Sequence, residues 1–353
     1  MSSATLTGSP VPRERSGLLH RFSTRHASWI PVFAAIAILL AMLIAGQLYF
    51  GTFVTPRMLS SLLLDNAYLL VLAVGMTFVI LTGGIDLSVG SVMAFTGILG
   101  ARMLGSGVPA AVAMPTMIVC GAAVGLLVGV MVQVFDVQPF IASLAGMFLA
   151  RGLAFVVSLE AIGVKDPVIT WLQSARFAVG GWYLGPEGIA YQPNGWYITP
   201  TGIIALLTVA VAFWVLQFTR FGRTVYAIGG NEQSARLMGL PVARTKLLVY
   251  VISGSCAGLA GVIFTAYTGA GYSLNGIGTE LDTIAAVVIG GTLLSGGSGY
   301  VIGSLLGVLV YGLIKVAITF MGADASWTRI IVGALLLLFV VVQRVIVARS
   351  GRR

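Results

Sequence analysis

The chain has 353 residues, of which 58% are hydrophobic and 9% are charged, with a formal net charge of +9 and a mean hydropathy of +1.01. Several apolar runs reach the roughly 20 residues that a bilayer core requires, which excludes a soluble protein and predicts an all-α polytopic membrane protein. In this setting the basic residues that flank apolar runs indicate topology rather than a nucleic-acid partner.

A basic N-terminal tail, 1–28, precedes an apolar run that is too long for the core of a signal peptide, so we interpret that run as a retained anchor. About ten transmembrane helices are predicted in one membrane domain, 29–347, which is followed by a basic tail, 348–353. The run at 281–295 is short enough to be irregular or re-entrant. The predicted spans are 29–50, 62–82, 87–105, 109–133, 139–159, 198–218, 246–268, 281–295, 299–320 and 327–347.

Charge predicts the orientation of these spans. The N-terminal tail, the loop 219–246 and the tail after Val342 hold 13 of the 20 lysines and arginines, and ten spans place all three on one side. By the positive-inside rule that side is the cytoplasm, so both termini are expected there.

The segment 160–199 is then external, and it divides the spans into two halves of five. Its many aromatic residues fit an interfacial aromatic belt with a loop, or else a partly ordered ledge that docks another protein. Glycines at four-residue spacing, at 121, 125 and 129 and at 299, 303 and 307, predict closely packed helices. An odd number of spans in each half would invert one half, but sequence support for such a repeat is thin.

A polar, glycine-rich break interrupts the apolar sequence at 83–91. It is expected to be a tight turn in which Asp86 and Ser88 cap the next helix, and the turn, with Ser91, is compatible with the inner mouth of a pathway. Asp65 and Asn66 enter an otherwise apolar span and are expected to face a polar cavity. Most other ionisable residues near the spans, Arg151 and Lys315 among them, are expected to snorkel to the interface.

The external loop 269–282 carries side chains of the kind that hydrogen-bond sugars, although a plain solvated loop explains it equally well. They are Tyr272, Ser273, Asn275, Glu280 and Asp282.

A polar island at 229–241 contains its own helix signals. Asn231 is expected to cap a helix of roughly two turns, Glu232 suits its first turn, and Gly239 with Pro241 ends it. A helix this short is marginal alone, so we expect it to dock on another chain. The alternative is an ordinary basic cytoplasmic loop. The expected docking residues are Asn231, Glu232, Ala235, Arg236 and Met238, with Ala235 and Met238 on one face.

Catalysis is not expected. Both histidines, His20 and His26, lie in the N-terminal tail, which removes a serine–histidine mechanism within the membrane. Asp86 and Asp282 stand at span ends, where an aspartyl dyad is not expected, and no carboxylate is predicted at mid-bilayer. No P-loop sequence is present. We predict no catalytic, cofactor or metal residues.

Four stretches together resemble the ribose-type family of monosaccharide ABC-transporter permeases: 75–91, 139–152, 226–241 and 280–292. Within that family, residues 271–274 and 238–242 are most similar to a permease of the galactofuranose importer. The resemblance implies the ABC importer permease fold in a bacterial inner membrane. It also implies three partners: an ATPase that binds ATP and Mg²⁺, a second permease chain, identical or different, and a periplasmic sugar-binding protein.

The resemblance further implies that the loop at 229–241 receives movement from the ATPase, and that sugar passes between the two permeases. The alternative is an ion-coupled secondary sugar carrier or channel without an ATPase partner. The expected pathway and gate residues are Asp65, Asn66, Asp86, Ser88, Ser91, Tyr272, Asn275, Glu280 and Asp282.

Overall fold

The computed structural model describes residues 30–179, 183–185, 188–190, 195–324 and 326–350. The predicted N-terminal tail 1–28, the end of the basic tail 348–353 and parts of the external segment 160–199 lie outside these residues. The described chain is almost entirely helical, and the prediction of an all-α polytopic membrane protein is confirmed.

The helices of the described residues are α1 (Ile30–Phe50), α2 (Pro56–Leu81), α3 (Val89–Gly105), α4 (Ala110–Gln133), α5 (Pro139–Val157), α6 (Pro167–Ser174), α7 (Pro200–Phe218), α8 (Arg220–Gly230), α9 (Glu232–Leu237), α10 (Val242–Thr268), α11 (Thr279–Ile289), α12 (Val301–Phe320) and α13 (Ser326–Ser350). Seven of them are long and apolar enough to cross a membrane: α1, α2, α4, α5, α7, α10 and α12. α3 and the first part of α13 are shorter apolar helices.

Helix α2 lies at the centre of the bundle, and its buried residues run without interruption from Leu69 to Leu81. A sequence with apolar side chains on every face is suited to a helix that is surrounded by other helices. α2 packs against α10, α12 and α7, so it is surrounded by helices on several sides.

Contacts between distant residues establish two faces of the bundle. α1 and α12 end together where the rings of Phe53 and Phe320 lie 5.2 Å apart, and they begin together, because a Cβ atom on Gly303 would lie 3.7 Å from Val32. We call the first face outer and the second inner. α2 runs in the opposite direction, since Thr77 Oγ1 and Ser304 Oγ lie 2.7 Å apart near the inner face.

The segment after α10 turns back into the bundle along α3. A Cβ atom on Gly271 would lie 2.8 Å from the Cα of Ile98, and one on Gly276 would lie 2.6 Å from the carbonyl oxygen of Gly90 at the start of α3. α11 begins beside this point at Thr279 and has 11 residues. Its length, about 16 Å, is about half of a bilayer core. The short run predicted at 281–295 is therefore a half-length helix, and its boundaries are shifted.

The starts of α3 and α11 thus lie inside the bundle, and each is reached by non-helical backbone. Residues 82–88 enter from the inner face and residues 269–278 enter from the outer face. Such backbone is tolerated within a membrane only where protein or water satisfies its polar groups. The two segments are inverted relative to each other, a relation for which the sequence offered only thin support.

The predicted glycine stripes do bring helices into close contact. Gly121 and Gly125 of α4 face Gly254 and Gly258 of α10, where an added Cβ atom on Gly125 would lie 2.2 Å from the carbonyl oxygen of Tyr250. The second stripe packs α12 against α11. Small residues allow the backbones to approach and make dense van der Waals contact, which stabilises helix pairs in lipid.

The external segment is partly ordered within the described residues. α6 and short strands lie there: β1 (Ile162–Gly163), β2 (Phe177–Val179), β3 (Tyr183–Gly185), β4 (Gly188–Ala190) and β5 (Trp196–Ile198). β1 pairs with β6 (Ala270–Gly271), β2 with β5, and β3 with β4, all antiparallel. This order agrees with the ledge interpretation, while docking of a partner stays a prediction.

Candidate transport pathway and coupling site

The break at 83–91 is organised around the carboxylate of Asp86. Its Oδ1 accepts hydrogen bonds from the amide of Ser88 at 2.9 Å and the Ser88 hydroxyl at 2.6 Å, and its Oδ2 accepts one from Ser253 Oγ at 2.7 Å. The expected turn at Asp86 is confirmed, but the expected capping is wrong: Ser88 precedes α3 without a side-chain hydrogen bond to the helix, and Asp86 bonds Ser88 itself. Asp86 is fully buried beside Ser253 of α10, so its carboxylate lies inside the bundle and not at an exposed span end.

This turn is closed in the structure. Ser88 and Ser91 are also buried, and the hydroxyl of Tyr250 stands close to Gly84, where an added Cβ atom would lie 2.7 Å from it. The residues predicted there for the pathway therefore support the broken backbone and do not line an open passage. Their role in a gate stays a prediction.

Arg151 of α5 holds the other broken segment. Its Nη1 donates hydrogen bonds to the carbonyl oxygens of Ser273 and Asn275, the latter at 2.8 Å. Arg151 was expected to snorkel to the interface, and this is wrong, because the backbone of 273–275 has no helix to satisfy its carbonyl groups and uses the guanidinium instead. Ser273, which was expected in an external sugar-binding loop, is fully buried.

Glu280 lies where the two broken segments meet. Its Oε1 accepts a hydrogen bond from the amide of Gly278 at 3.3 Å, and a Cβ atom on Gly90 would lie 2.5 Å from its Oε2. That Oε2 is buried and has no hydrogen-bond partner among the described residues. Arg151 is the nearby cation that acts on this carboxylate.

A cavity of about 450 Å³ opens in the outer half of the bundle between α2, α12 and the end of α10. Asp65 and Asn66 both line it, which confirms that they face a polar cavity. The cavity is also lined by Arg57, Ser61, Tyr267, Lys315 and several apolar side chains. Asn66 is only 4% exposed; its Nδ2 donates to the carbonyl of Leu62, while its Oδ1 has no partner among the described residues.

Asp282 extends the polar groups of this region towards α11. Its carboxylate interacts with the Tyr311 hydroxyl and with the charges of Lys315 and Arg329. The Lys315 ammonium lies 5.6 Å from the centroid of the Tyr311 ring. Asp282 therefore belongs with Asp65 on one side of the bundle, and Glu280 belongs with Arg151 on another, although the two acids are close in sequence.

The coupling segment at 229–241 forms α9, a six-residue helix, and its predicted capping is confirmed. Asn231 Oδ1 accepts a hydrogen bond from the amide of Ser234 at 2.8 Å, and Gly239 ends the segment at a φ of 75°. Glu232 binds Arg236 at 2.6 Å and Lys246 of α10 at 2.8 Å. Partial burial raises the pKa of Glu232, but hydrogen bonds from Lys246 and Arg236 outweigh it and hold that pKa below its usual range.

The expected docking face of α9 needs a correction. Ala235 is fully buried and packs with Ile228 and Val242, so it does not share an exposed face with Met238. The exposed apolar residues are Leu237, at 84%, and Met238, at 67%. From the sequence, the face of α9 that carries Ala235 was expected to contact a partner chain. In the structure, Ile228 and Val242 of the same chain cover that face.

Helix α8 connects this segment to the inner end of α2. A Cβ atom on Gly229 would lie 1.8 Å from the carbonyl oxygen of Leu81 and 2.3 Å from the amide nitrogen of Gly297. The Gly297 amide donates to Leu81 at 2.9 Å, and the Tyr226 hydroxyl donates to the carbonyl of Gly299 at 2.8 Å. α8 is therefore in direct contact with the inner end of α2, beside the turn that holds Asp86.

Several functional candidates were missed in the sequence because their partners are remote along the chain. Ser253 is one small residue in a long apolar helix, and nothing local links it to Asp86. Arg151 was a visible signal, since a charge in the middle of an apolar run seldom faces lipid. The remaining predicted residue, Tyr272, is half-buried between β6 and Ser273.

The family model described as "Branched-chain amino acid transport system / permease component" matches residues 58–340. Among curated proteins, the chain is 44% identical to the fructose import permease protein FruG of Bifidobacterium longum, over 91% of this chain and 93% of that protein. It is 43% identical to the inner membrane ABC transporter permease protein YjfF of Escherichia coli, over 88% and 91%. It is 37% identical to the ribose import permease protein RbsC of the same species, over 90% and 94%.

No solved structure matches the chain.

Proposed function

This chain belongs to the family of branched-chain amino acid transport system permease components, and we propose that it is the membrane subunit of an ATP-driven importer of a monosaccharide. The observation that carries the proposal is the position of α8 and α9. They present an exposed apolar pair, Leu237 and Met238, while Gly229 is in direct contact with the inner end of α2. A permease that is moved by a separate ATPase requires this arrangement.

The partner at α9 is a sugar ABC ATPase, which binds ATP and Mg²⁺ in its own chain. α9 lies on the side that carries the basic loop 219–246, and we assign that side to the cytoplasm of a bacterial inner membrane by the positive-inside rule. Glu232 is engaged by Arg236 and Lys246, so its part is to fix α9 on α10. Leu237, Met238 and the exposed side of Arg236 remain for docking.

On the outer face, the ordered segment around α6 and β5 is the proposed landing surface for a periplasmic sugar-binding protein. Trp171 and Trp196 are half-exposed there, and Arg176 lies over the ring of Tyr197 at 5.6 Å. A second permease chain, identical or different, completes the passage. The neighbouring α11 supports this assignment, because Ile277 and Leu281 are exposed beside polar groups.

The substrate is a monosaccharide. The names of two relatives specify fructose and ribose. The residues at 238–242 and 271–274 favour galactofuranose among the alternatives. Uptake of radiolabelled ribose, fructose and galactose by proteoliposomes tests the class. We expect uptake only when the ATPase, its ATP and the binding protein are all present. Uptake driven by an ion gradient through the purified chain alone would instead establish a secondary carrier.

The coupling assignment is tested with the double variant Leu237→Glu/Met238→Glu. We expect the ATPase to dissociate from the permease during purification, because two buried carboxylates at the interface lose their hydration without a partner. The control, Leu237→Met/Met238→Leu, keeps the apolar area and is expected to retain the ATPase and sugar uptake. If the double glutamate variant retains both, α9 is not the docking element.

A further inference from the structure

One side of the bundle carries ionisable groups at a depth where lipid normally meets apolar side chains. We call it the outer polar face, and it consists of Asp65, Tyr267, Asp282, Tyr311, Lys315 and Arg329. Asp65 lies about 14 Å along α2 from its outer end, and Lys315 lies about 8 Å from the outer end of α12. None of the four charged residues is buried.

Such a face is unsuited to lipid. Ionisable side chains within a membrane face a protein interior or a water-filled cavity, because hydrocarbon offers them no hydration. The other lipid-depth surfaces contrast with it; α7, for example, exposes Leu207, Val211 and Trp214. The outer polar face is therefore in contact with water, with a polar solute or with another protein chain, and not with lipid.

The cavity in this face is large enough for a small solute. Its volume of about 450 Å³ lies within the range of small-molecule sites, about 300–1,000 Å³. Asn66 lies in the wall, but its side-chain amide is buried: Nδ2 donates to the carbonyl of Leu62, and Oδ1 has almost no accessible surface and no partner among the described residues. The polar groups that a solute can meet are therefore those of the other lining residues.

The chemistry of the lining identifies the solute. Asp65 accepts hydrogen bonds, Lys315 and Arg57 donate them, and the Tyr267 hydroxyl does both and interacts with Asp65. A simple cation in this cavity would be repelled by the Lys315 ammonium group, and a simple anion would be repelled by the Asp65 carboxylate. A neutral molecule with several hydroxyl groups satisfies donors and acceptors at once.

We propose that this cavity is an outer sugar subsite of the permease itself, at which a neutral monosaccharide is held between Asp65, Tyr267 and Lys315 before it passes α11. This inference deepens the proposed function and rests on it. It assigns to the permease a share of the substrate recognition that a binding protein would otherwise supply alone.

Water access is tested first, by single cysteines in the full chain with Cys120 and Cys256 replaced by alanine. Val316→Cys lines the cavity, and Leu207→Cys is an exposed control at similar depth on α7. Val316→Cys is expected to react with an impermeant thiosulfonate at least about tenfold faster, because the reactive thiolate forms in water and not in lipid. Equal rates at the two positions would show a lipid-filled cavity and would overturn the proposal.

Recognition is tested by uptake of labelled ribose, fructose and galactose in membranes that also contain the ATPase and the binding protein. Lys315→Met is expected to lower uptake of the transported sugar about tenfold, as loss of one charge-assisted hydrogen bond does, with ATPase assembly intact. Lys315→Arg is expected to restore most of it. Arg102→Met, which removes an exposed positive charge at the outer end of α3, is the matched control.

The outcomes separate the two proposals. If the wild type imports sugar with ATP and Lys315→Met does the same at an equal rate, the subsite is refuted while the importer stands. If the wild type imports none of the three sugars with ATP, the importer itself fails, whatever the labelling at Val316→Cys shows.

Discussion

The carboxylate of Asp86 is surrounded by protein and accepts three hydrogen bonds, two from Ser88 and one from Ser253. Two of the donors belong to the non-helical segment before α3, and the third belongs to the regular helix α10. A charged side chain in such a position is costly unless it is hydrogen-bonded, and here its geometry satisfies the broken backbone. Its function is to hold the turn at 82–88 against the middle of α10.

Replacement of Asp86 by alanine tests this role. Asp86→Ala leaves the Ser88 amide and the Ser253 hydroxyl as buried donors without acceptors, at about 1–3 kcal/mol for each. We expect the purified variant to unfold at a clearly lower temperature in detergent and to lose sugar uptake. Asp86→Asn keeps an acceptor for Ser88 and is expected to lie between the two. An Asp86→Ala protein as stable as the wild type would contradict the assignment.

At the scale of elements, the sequence was sufficient for the uninterrupted helices. Apolar length alone located α4, α5 and α12 within a few residues, and Asn231 with Gly239 marked both ends of α9. Length also indicated that the run at 281–295 is too short for a regular span, and α11 is a half-length helix, although its boundaries lie earlier than predicted. The depth of Asp86 was not predicted, since a glycine-rich turn inside the bundle and one at its surface have the same composition.

The site was harder to predict than the fold because its residues meet through tertiary contacts. Asp65 and Asn66 were identified as cavity residues, since polar side chains in an apolar run have few other uses. Lys315 and Tyr267 come from two other helices, and only the packing of α12 and α10 on α2 brings them there. Ala235 was misassigned because helical periodicity predicts which residues share a face of α9, but it does not predict which part of the protein packs on that face.

The junction between α8 and α2 depends on one glycine and offers a matched pair of variants. An added Cβ atom at Gly229 would lie 1.8 Å from the carbonyl oxygen of Leu81, whereas one at Gly230 meets nothing within 4 Å. We expect Gly229→Ala to separate α8 from α2, at about 1–3 kcal/mol for the overpacking. Sugar uptake should then fall while ATP hydrolysis by the bound ATPase persists.

Gly230→Ala serves as the control for this pair, since it makes the same change in helix propensity one residue away. It is expected to transport at the wild-type rate. Gel filtration of both variants with the ATPase separates a loss of transmission from a failure to fold. If Gly229→Ala is folded and fully active, the contact with Leu81 does not transmit movement.

At the scale of the whole molecule, the described chain has two features that a single subunit leaves incomplete. The outer polar face opens beside α11, and the apolar residues Ile277 and Leu281 are exposed at the start of that helix. Apolar side chains next to ionisable ones suit a protein surface more than lipid. A second permease placed over α11 would cover Ile277 and Leu281 and enclose a polar passage between the chains.

Cross-linking tests that placement directly. In a background in which Cys120 and Cys256 are alanine, Ile277→Cys and Leu281→Cys are expected to be joined to a second permease chain by short bifunctional thiol reagents in native membranes. Their exposed fractions are 62% and 60%, and Leu207→Cys on α7, at 58%, is the matched control. The mass of the product distinguishes an identical partner from a different one. If α7 cross-links as efficiently as α11, or if only α7 does, then the second chain does not cover α11 and the passage lies elsewhere.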